Sequence, residues 1–536
     1  FRMSAVFRAE EQTVHNVELV LILLAVITFL AAIAERTSIP YPIFLVVGGL
    51  AFGLIPGMPA IELDPDMVFL LFLPPILFSA AYSTSWREFR YSLRPIGLLA
   101  IGCVLFTMLA VAMVAHVVID GLNWPAAFVL GAIVAPPDAV ATTAIFSRIG
   151  VPRRLVTVLE GESLVNDASA LVAYRFAVAA VVGGTFSIWS AGERFVVLAV
   201  GGIVLGLIAG RVLSIIIPAL GESGVAIMAS LIAPSAMYVL AEQIDVSGVL
   251  AVVVAGLVLG RSGPTIFGPT GRIKSGAVWA FVVFLTNGLV FILIGLQLRS
   301  VWSGLGEWSA RELTFATIAV VAAVIIVRVI WVYPATYIPR MIPKIRANDP
   351  YPPWQFPAIV SWAGLRGVVS LAAALALPHE VDSGAPFPQR DLIVFLTFAV
   401  ILVTLVGQGL SIAPLVRWLG IEADGGPDRE ATIARRAAAQ AALDRLDALN
   451  GELWVPPDIA QKMRYHHEHT LGHFPESLDA QEVDSDHIAN HTRLRLELVH
   501  AQRTAIITLR NRGVIGDDAL HRIERELDLE ELRSEA

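Results

Sequence analysis

Apolar residues run in long unbroken stretches along most of this chain, with short polar links between them. The stretches are apolar on all sides of a helix rather than along one stripe, the pattern of segments surrounded by hydrocarbon. A run of about 20 such residues crosses ~30 Å of hydrocarbon. By hydropathy the chain offers about thirteen candidate spans, from residues 17–34 to residues 392–419. Two of them, 43–54 and 246–260, are short for a full crossing. The first run follows an acidic and polar start and has the length of a true span, so it reads as an uncleaved segment.

Composition agrees with that pattern. Hydrophobic residues make up 56% of the 536 residues and charged ones 16%, with a mean hydropathy of +0.71; soluble domains carry roughly 25% charged residues. The single cysteine, Cys103, excludes an intramolecular disulfide and a cysteine-built metal site. The net charge of -8 does not speak for nucleic acid, because the acids gather in the C-terminal region. Charge in the links orients the spans. Arg87, Arg90 and Arg94, then Arg148, Arg153 and Arg154, then Arg261, Arg272 and Lys274, then Arg340, Lys344 and Arg346 occupy alternate links. The intervening links hold Glu62, Asp64 and Asp66, Asp120, Asp245, and Glu380 and Asp382. Basic links belong on the cytoplasmic side, which puts the N-terminus outside and the C-terminus inside.

Three parts follow: a segment 1–16 on the outer side, a membrane region 17–420, and a cytoplasmic domain 421–536. The last is charged, alanine-rich and predicted mostly helical. Its His469 and His473 fall one helical turn apart, which reads as a solvated helix face rather than as a metal or pH-sensing site.

Ionisable side chains at membrane depth are costly and need a reason. In LEGESLVNDASALV of the sixth span, Glu162 and Asn166 stack on one helix face, as do Ser163 and Asp167 on the next. Asp167 lies about twelve residues beyond Leu155, or ~18 Å along a helix, near mid-bilayer. In VAPPDAVATTAIF of the fifth span, Pro136 and Pro137 remove two backbone donors just before Asp138 and should break the helix. In SWAGLRGVVSLAAALALP of the twelfth, Arg366 sits too deep to snorkel, between Gly364 and Gly367. A buried arginine needs an acidic partner, and Glu162 is the expected one. Glu242 and Asp245 read as a span boundary, and Asn287 as an interhelical hydrogen bonder. If spans one to six and eight to thirteen form two halves, both breaks occupy the fifth position of their half. That is the sequence sign of an inverted-repeat transporter with its site between the broken helices. The expected fold is therefore an all-α polytopic membrane protein with two inverted six-helix repeats.

These stretches, with FLPPILFSAAYSTSWREFR, AEQIDVSGVLAVVVAGLVLG and TNGLVFILIGLQL, resemble the monovalent cation:proton antiporters, in the electroneutral sodium/proton exchanger branch with a long cytoplasmic tail. The resemblance covers the membrane region through about Leu419. It implies thirteen spans arranged as dimerisation and core subdomains, a homodimer in the cell membrane, and transport of Na+, Li+ or K+ against H+ with no cofactor. It implies that Asp167 binds proton or cation in competition, helped by Asp138, Ser163 and the backbone carbonyl of Pro137, which would together hold Na+. Glu162, Asn166 and Arg366 would form a structural polar network. Two positions depart from the family. Pro137 stands where many members have threonine, and Ser79 where archaeal relatives often have glutamate. No Gly-x-Ser-x-Gly or His-Glu-x-x-His pattern supports a membrane hydrolase, and His116 is isolated, so an enzyme is not expected. A channel would have no need of one buried carboxylate between paired broken helices.

Overall fold

The computed structural model describes residues 21–37, 39–55, 65–183, 188–221, 224–303, 305–306, 308–421, 426–450, 452, 454–472, 497–509, 512, 523 and 527. The segment 1–16, Glu62, Asp64 and His473 lie outside the described residues. Among those residues the chain is helical; there is no strand, only an isolated bridge between Glu380 and Pro386.

The helices are α1 (Leu21–Glu35), α2 (Tyr41–Gly53), α3 (Val68–Ser83), α4 (Leu93–Val118), α5 (Trp124–Val134), α6 (Ala139–Ile149), α7 (Arg153–Val182), α8 (Ile188–Ala219), α9 (Gly224–Gln243), α10 (Gly248–Ile266), α11 (Pro269–Leu296), α12 (Ala310–Tyr337), α13 (Gln355–Trp362), α14 (Val368–Leu375) and α15 (Arg390–Trp418). Seven of the described helices are long and apolar enough to cross a membrane: α4, α7, α8, α9, α11, α12 and α15, within limits of a few residues. Shorter apolar helices account for α1, α2, α3, α5 and most of α10.

Local sequence sets the helix ends. Asn123 caps α5 by accepting from Ala126 N at 2.9 Å, with Pro125 where a missing N–H costs nothing. Ser309 and Glu312 form a reciprocal capping box at the start of α12. Gly150, at φ +67°, ends α6 in the left-handed conformation. Within α3, α4 and α15 a single π-helical turn interrupts the regular bonding, at Val68–Phe72, Leu98–Cys103 and Val403–Gln408.

Burial divides these helices around two apolar cores. One gathers residues of α4–α6 and α12–α15, joined by α1, α2 and the end of α11. The other is built from α3, α9 and α10 with Ile217 of α8. Helix α7 serves both. Leu155, Val158, Leu159, Tyr174 and Ala177 pack into the first core, and Leu164 and Ala168 into the second. Where α2 meets α11, Gly49 and Gly295 let the backbones touch: a Cβ on Gly295 would come within 2.6 Å of Leu50 N. Small residues at a helix crossing are the usual device in lipid, where only close packing holds helices together.

The chain divides into two compact units, Phe1–Asp424 and Gly425–Ala536. In the second, Gly426–Ala448 and Pro457–Gly472 are helices in mutual contact, joined by an ion pair between Arg464 and Asp447.

Candidate functional site

The two expected breaks are present, and they meet. Helix α5 stops at Val134 and α6 begins at Ala139, leaving Ala135 to Asp138 out of the helix. Helix α13 stops at Trp362 and α14 begins at Val368. Each break strands backbone groups that hydrocarbon cannot solvate. They satisfy one another. Asp138 N–H donates to Leu365 O at 2.6 Å, the Thr142 hydroxyl donates to Ala363 O at 3.4 Å, and the Arg366 guanidinium donates to Ala135 O. The Arg366 N–H is taken by the Thr404 hydroxyl at 3.1 Å, beside the π-helical turn of α15.

Asp138 caps α6, its Oδ1 accepting from Val140 N at 2.8 Å. Its other face lies against Gly367. A Cβ there would sit 2.5 Å from Asp138 Cγ and 2.7 Å from its Cβ, so only glycine admits this approach. Gly367 is an extended residue at φ -141°, hence the requirement is space and not backbone angle.

Helix α7 brings the remaining residues to the crossing. Asn166 is fully buried and its Nδ2 donates to Pro137 O at 2.9 Å, which ties α7 to the first break. Asp167 follows at 6% exposure, close enough to Asp138 for their charges to interact. Among the described residues no hydrogen-bond donor reaches the Asp167 carboxylate. Ser163 is half-buried one turn before Asp167. Asn166 Oδ1, Arg366 Nε, Ser370 Oγ and Gln408 Oε1 are buried without partners among the described residues. Polar atoms are seldom left so in a protein interior, and they cluster on the elements of this crossing. No group of three or more His, Cys, Asp or Glu side chains suited to a metal occurs among the described residues.

One expectation is corrected. Glu162 does not pair with Arg366. It forms a bidentate ion pair with Arg328 of α12, at 2.6 Å from Nη1 and 2.8 Å from Nη2, with the two side chains 1% and 2% exposed. Arg328 Nε donates to Val360 O at 3.1 Å, and Gly364 lies against the arginine side chain. Arg366 is directed instead at the carbonyl that the first break leaves free. The reason is geometric: the two breaks cross so that Arg366 faces the end of α5, while α12 lies against α13 where Glu162 emerges. The sequence did carry a sign of Arg328, a lone arginine within AAVIIVRVIWVYP, but one charge in so apolar a run scarcely lowers its hydropathy.

The other polar residues are simpler. Glu242, near the end of α9, accepts from Arg175 at 2.9 and 2.8 Å, and Asp245 lies in the loop beyond. Ser79 is half-buried on α3.

The arrangement has counterparts in known proteins. Residues 22–418 match the family model for the transmembrane sodium/hydrogen exchanger. An uncharacterised Na+/H+ exchanger of Mycobacterium tuberculosis is 35% identical over 536 residues, covering 98% of this chain and 97% of its own. A sodium, potassium, lithium and rubidium/H+ antiporter of Bacillus pumilus is 34% identical over 403 residues, covering 72% of this chain and 60% of its own. The fold is similar to that of the sodium proton antiporter MjNhaP1 from Methanocaldococcus jannaschii, with a TM-score of 0.58, 19% identity, and coverage of 74% of this chain and 98% of that one. Family and fold thus agree with two broken helices crossing beside a buried aspartate: the chain belongs to the sodium/hydrogen exchanger family and is a monovalent cation:proton antiporter of NhaP type.

Proposed function

We propose that this protein exchanges Na+ for H+, one for one, with Asp167 as the group that carries either. The observation that supports this most is the state of that carboxylate. It is buried at a crossing of two broken helices, and no donor among the described residues neutralises it. A bare carboxylate in low dielectric is expensive. A proton removes the charge; so does a cation held jointly with Asp138, Ser163 and the second lone pair of Pro137 O. With the charge of Asp167 cancelled in either case, the site can pass between the two faces of the membrane; empty, it resists passage. The two cargoes compete, and each full cycle moves no net charge. Glu162 and Arg328 neutralise each other.

Alternating access requires two bodies, and the two apolar cores that share α7 suit it. Counting each broken pair as one span, α1 to α15 make thirteen crossings in two inverted halves around α8. On this reading the basic links and the 421–536 region are cytoplasmic, and the protein is a homodimer in the cell membrane. Potassium is the second candidate cargo, favoured by the Bacillus pumilus relative named for sodium, potassium, lithium and rubidium. Proteoliposomes with an internal pH dye test both readings. Sodium or lithium should move protons out of step with any membrane potential, and Asp167→Asn should abolish the exchange in a correctly inserted protein. Exchange surviving in Asp167→Asn defeats the assignment, and a current at matched gradients defeats the stoichiometry.

A further inference from the structure

A second group of charges gathers away from the crossing, where four segments end. Arg94 stands at the start of α4, Arg154 at the start of α7, Arg340 just past α12, and Asp349 in the link to α13. Asp349 accepts from Arg154 at 2.5 Å, from Arg340 at 2.8 Å, and from Arg94. One carboxylate thus faces three guanidiniums, and two positive charges are left over. Arg154 also lies over the Tyr91 ring, 5.6 Å from its centroid, and the Tyr91 hydroxyl donates to Asn348 O at 2.6 Å.

Arg340 is the informative member. It is 4% exposed, one donor is used by Thr336 O and one by Asp349, and its Nε–H has no partner among the described residues. A buried guanidinium donor left unpaired in a surplus of positive charge is a place for an anion. Arg154 and Arg340 line a cavity together with apolar residues, Leu98, Val158, Val332 and Val360 among them. The long apolar helices begin at Leu93 and Arg153 and end at Met341, so the arginines stand at helix ends, the level at which a spanning helix leaves hydrocarbon for water. Lipid phosphates occupy that layer, with acyl chains on the apolar side.

We propose that this cavity binds the phosphate of an anionic phospholipid, with Arg154 and Arg340 on the phosphate and the start of an acyl chain against Leu98 and Val332. The elements it would join are α4, α7, α12 and α13, which carry Glu162, Asp167 and Arg328 and lead into the second break. A lipid held there braces the frame around the crossing. The inference needs only that these helices span a membrane, and binding can be measured without transport.

The experiment uses the purified full-length chain in neutral detergent, with thermal melting and native mass spectrometry as readouts. Phosphatidylglycerol, phosphatidylcholine and inorganic phosphate are added in separate arms. Phosphatidylglycerol should raise the melting temperature and stay bound; phosphatidylcholine should do neither, and phosphate should give at most a small part of the shift. Changing Arg340 risks unfolding by stranding Asp349, so the variants are Arg154→Gln, which leaves the Arg340–Asp349 pair, and Leu98→Trp, which fills the apolar part with every charge in place. Each should at least halve the phosphatidylglycerol-dependent shift and the retained lipid. Equal effects from the two lipids, or an unchanged shift in both variants, overturn the proposal. A full shift from inorganic phosphate that Leu98→Trp leaves intact overturns the lipid as the source.

Discussion

The Glu162–Arg328 pair offers the sharpest test, because Arg366 is the partner that sequence favours and Arg328 the one that the structure shows. Replacing Glu162 by Gln keeps the shape and removes the charge. Arg328 then keeps only neutral acceptors, Val360 O and the new amide oxygen, and no counter-charge for a guanidinium that is 2% exposed. Two independent routes give the cost. Breaking a buried ion pair by removing one partner costs about 3–5 kcal/mol. An unpaired arginine at the centre of a membrane helix costs roughly 2.5–3.5 kcal/mol by insertion measurements. The expected loss is therefore about 3 kcal/mol. Arg328→Met should lose a similar amount, because Glu162 is then the stranded charge. The double variant Glu162→Gln with Arg328→Met removes both charges, so its loss should fall short of the sum by on the order of 1–3 kcal/mol. Glu162→Gln combined with Arg366→Gln, which share no hydrogen bond, should depart from additivity by less than that. Unfolding in mixed micelles of mild detergent and dodecyl sulfate, followed by circular dichroism, measures all four. Coupling to Arg366 that exceeds coupling to Arg328 would refute the pairing and with it the helix arrangement around α7.

Gly367→Ala puts a methyl group against Asp138, at 2.5 Å from Cγ; overpacking of about 1–3 kcal/mol should cut proton-coupled flux in liposomes about tenfold with the protein still monodisperse, and wild-type flux would show that the approach is not needed. Gly295→Val drives a side chain into the backbone of Leu50 and Gly49; a stability loss of about 1–3 kcal/mol is expected, and none in the same micelle assay would mean that α2 and α11 do not pack this closely. Asp349 reports on pH. Burial pushes its carboxyl up, but the hydrogen bonds and charges of Arg154 and Arg340 outweigh that and hold it below the ordinary value of 3.8. A folded-state value below the unfolded one means stability that is present above 3.8 and lost as pH falls through the folded value. The gap in stability between wild type and Asp349→Asn should therefore be constant near about pH 6 and narrow towards about pH 3; parallel curves over that range would contradict the sign.

Helix breaks are legible in a sequence because their cause is local. Pro136 and Pro137 remove donors wherever the chain goes, and Gly364 and Gly367 flag a stretch that need not be helical. Both interruptions lie where that reasoning puts them. Which groups repair the damage is not local. Asp138 N–H bonds to Leu365 O more than two hundred residues away, and Arg366 faces Ala135 O because the breaks cross at one particular offset. A shift of one turn would hand Arg366 a different acceptor with no change in sequence. The same limit explains Glu162. Spacing on α7 shows that it shares a face with Asn166, but not that α12 rather than the second break lies opposite that face.

Pairing sorts the charges of the crossing in a way that their burial cannot. Glu162, Arg328 and Asp167 are all nearly inaccessible. Glu162 and Arg328 hold each other with two short hydrogen bonds, and Asn166 spends its amide N–H on Pro137 O. The ion pair is already compensated and gains little from a cation or a proton, whereas Asn166 Oδ1 has no partner among the described residues. Asp138 spends one oxygen on the cap of α6 and keeps its other side against Gly367. Asp167 alone among these carboxylates accepts nothing from the described residues, so the arrival of a positive ligand changes its energy most. On the proposed mechanism, a compensated ion pair beside one uncompensated carboxylate makes a site whose passage between faces depends on its cargo. Transport should therefore be far more sensitive to removing the charge of Asp167 than to removing the charges of Glu162 and Arg328 together, even though the latter change takes two buried ions out of the protein.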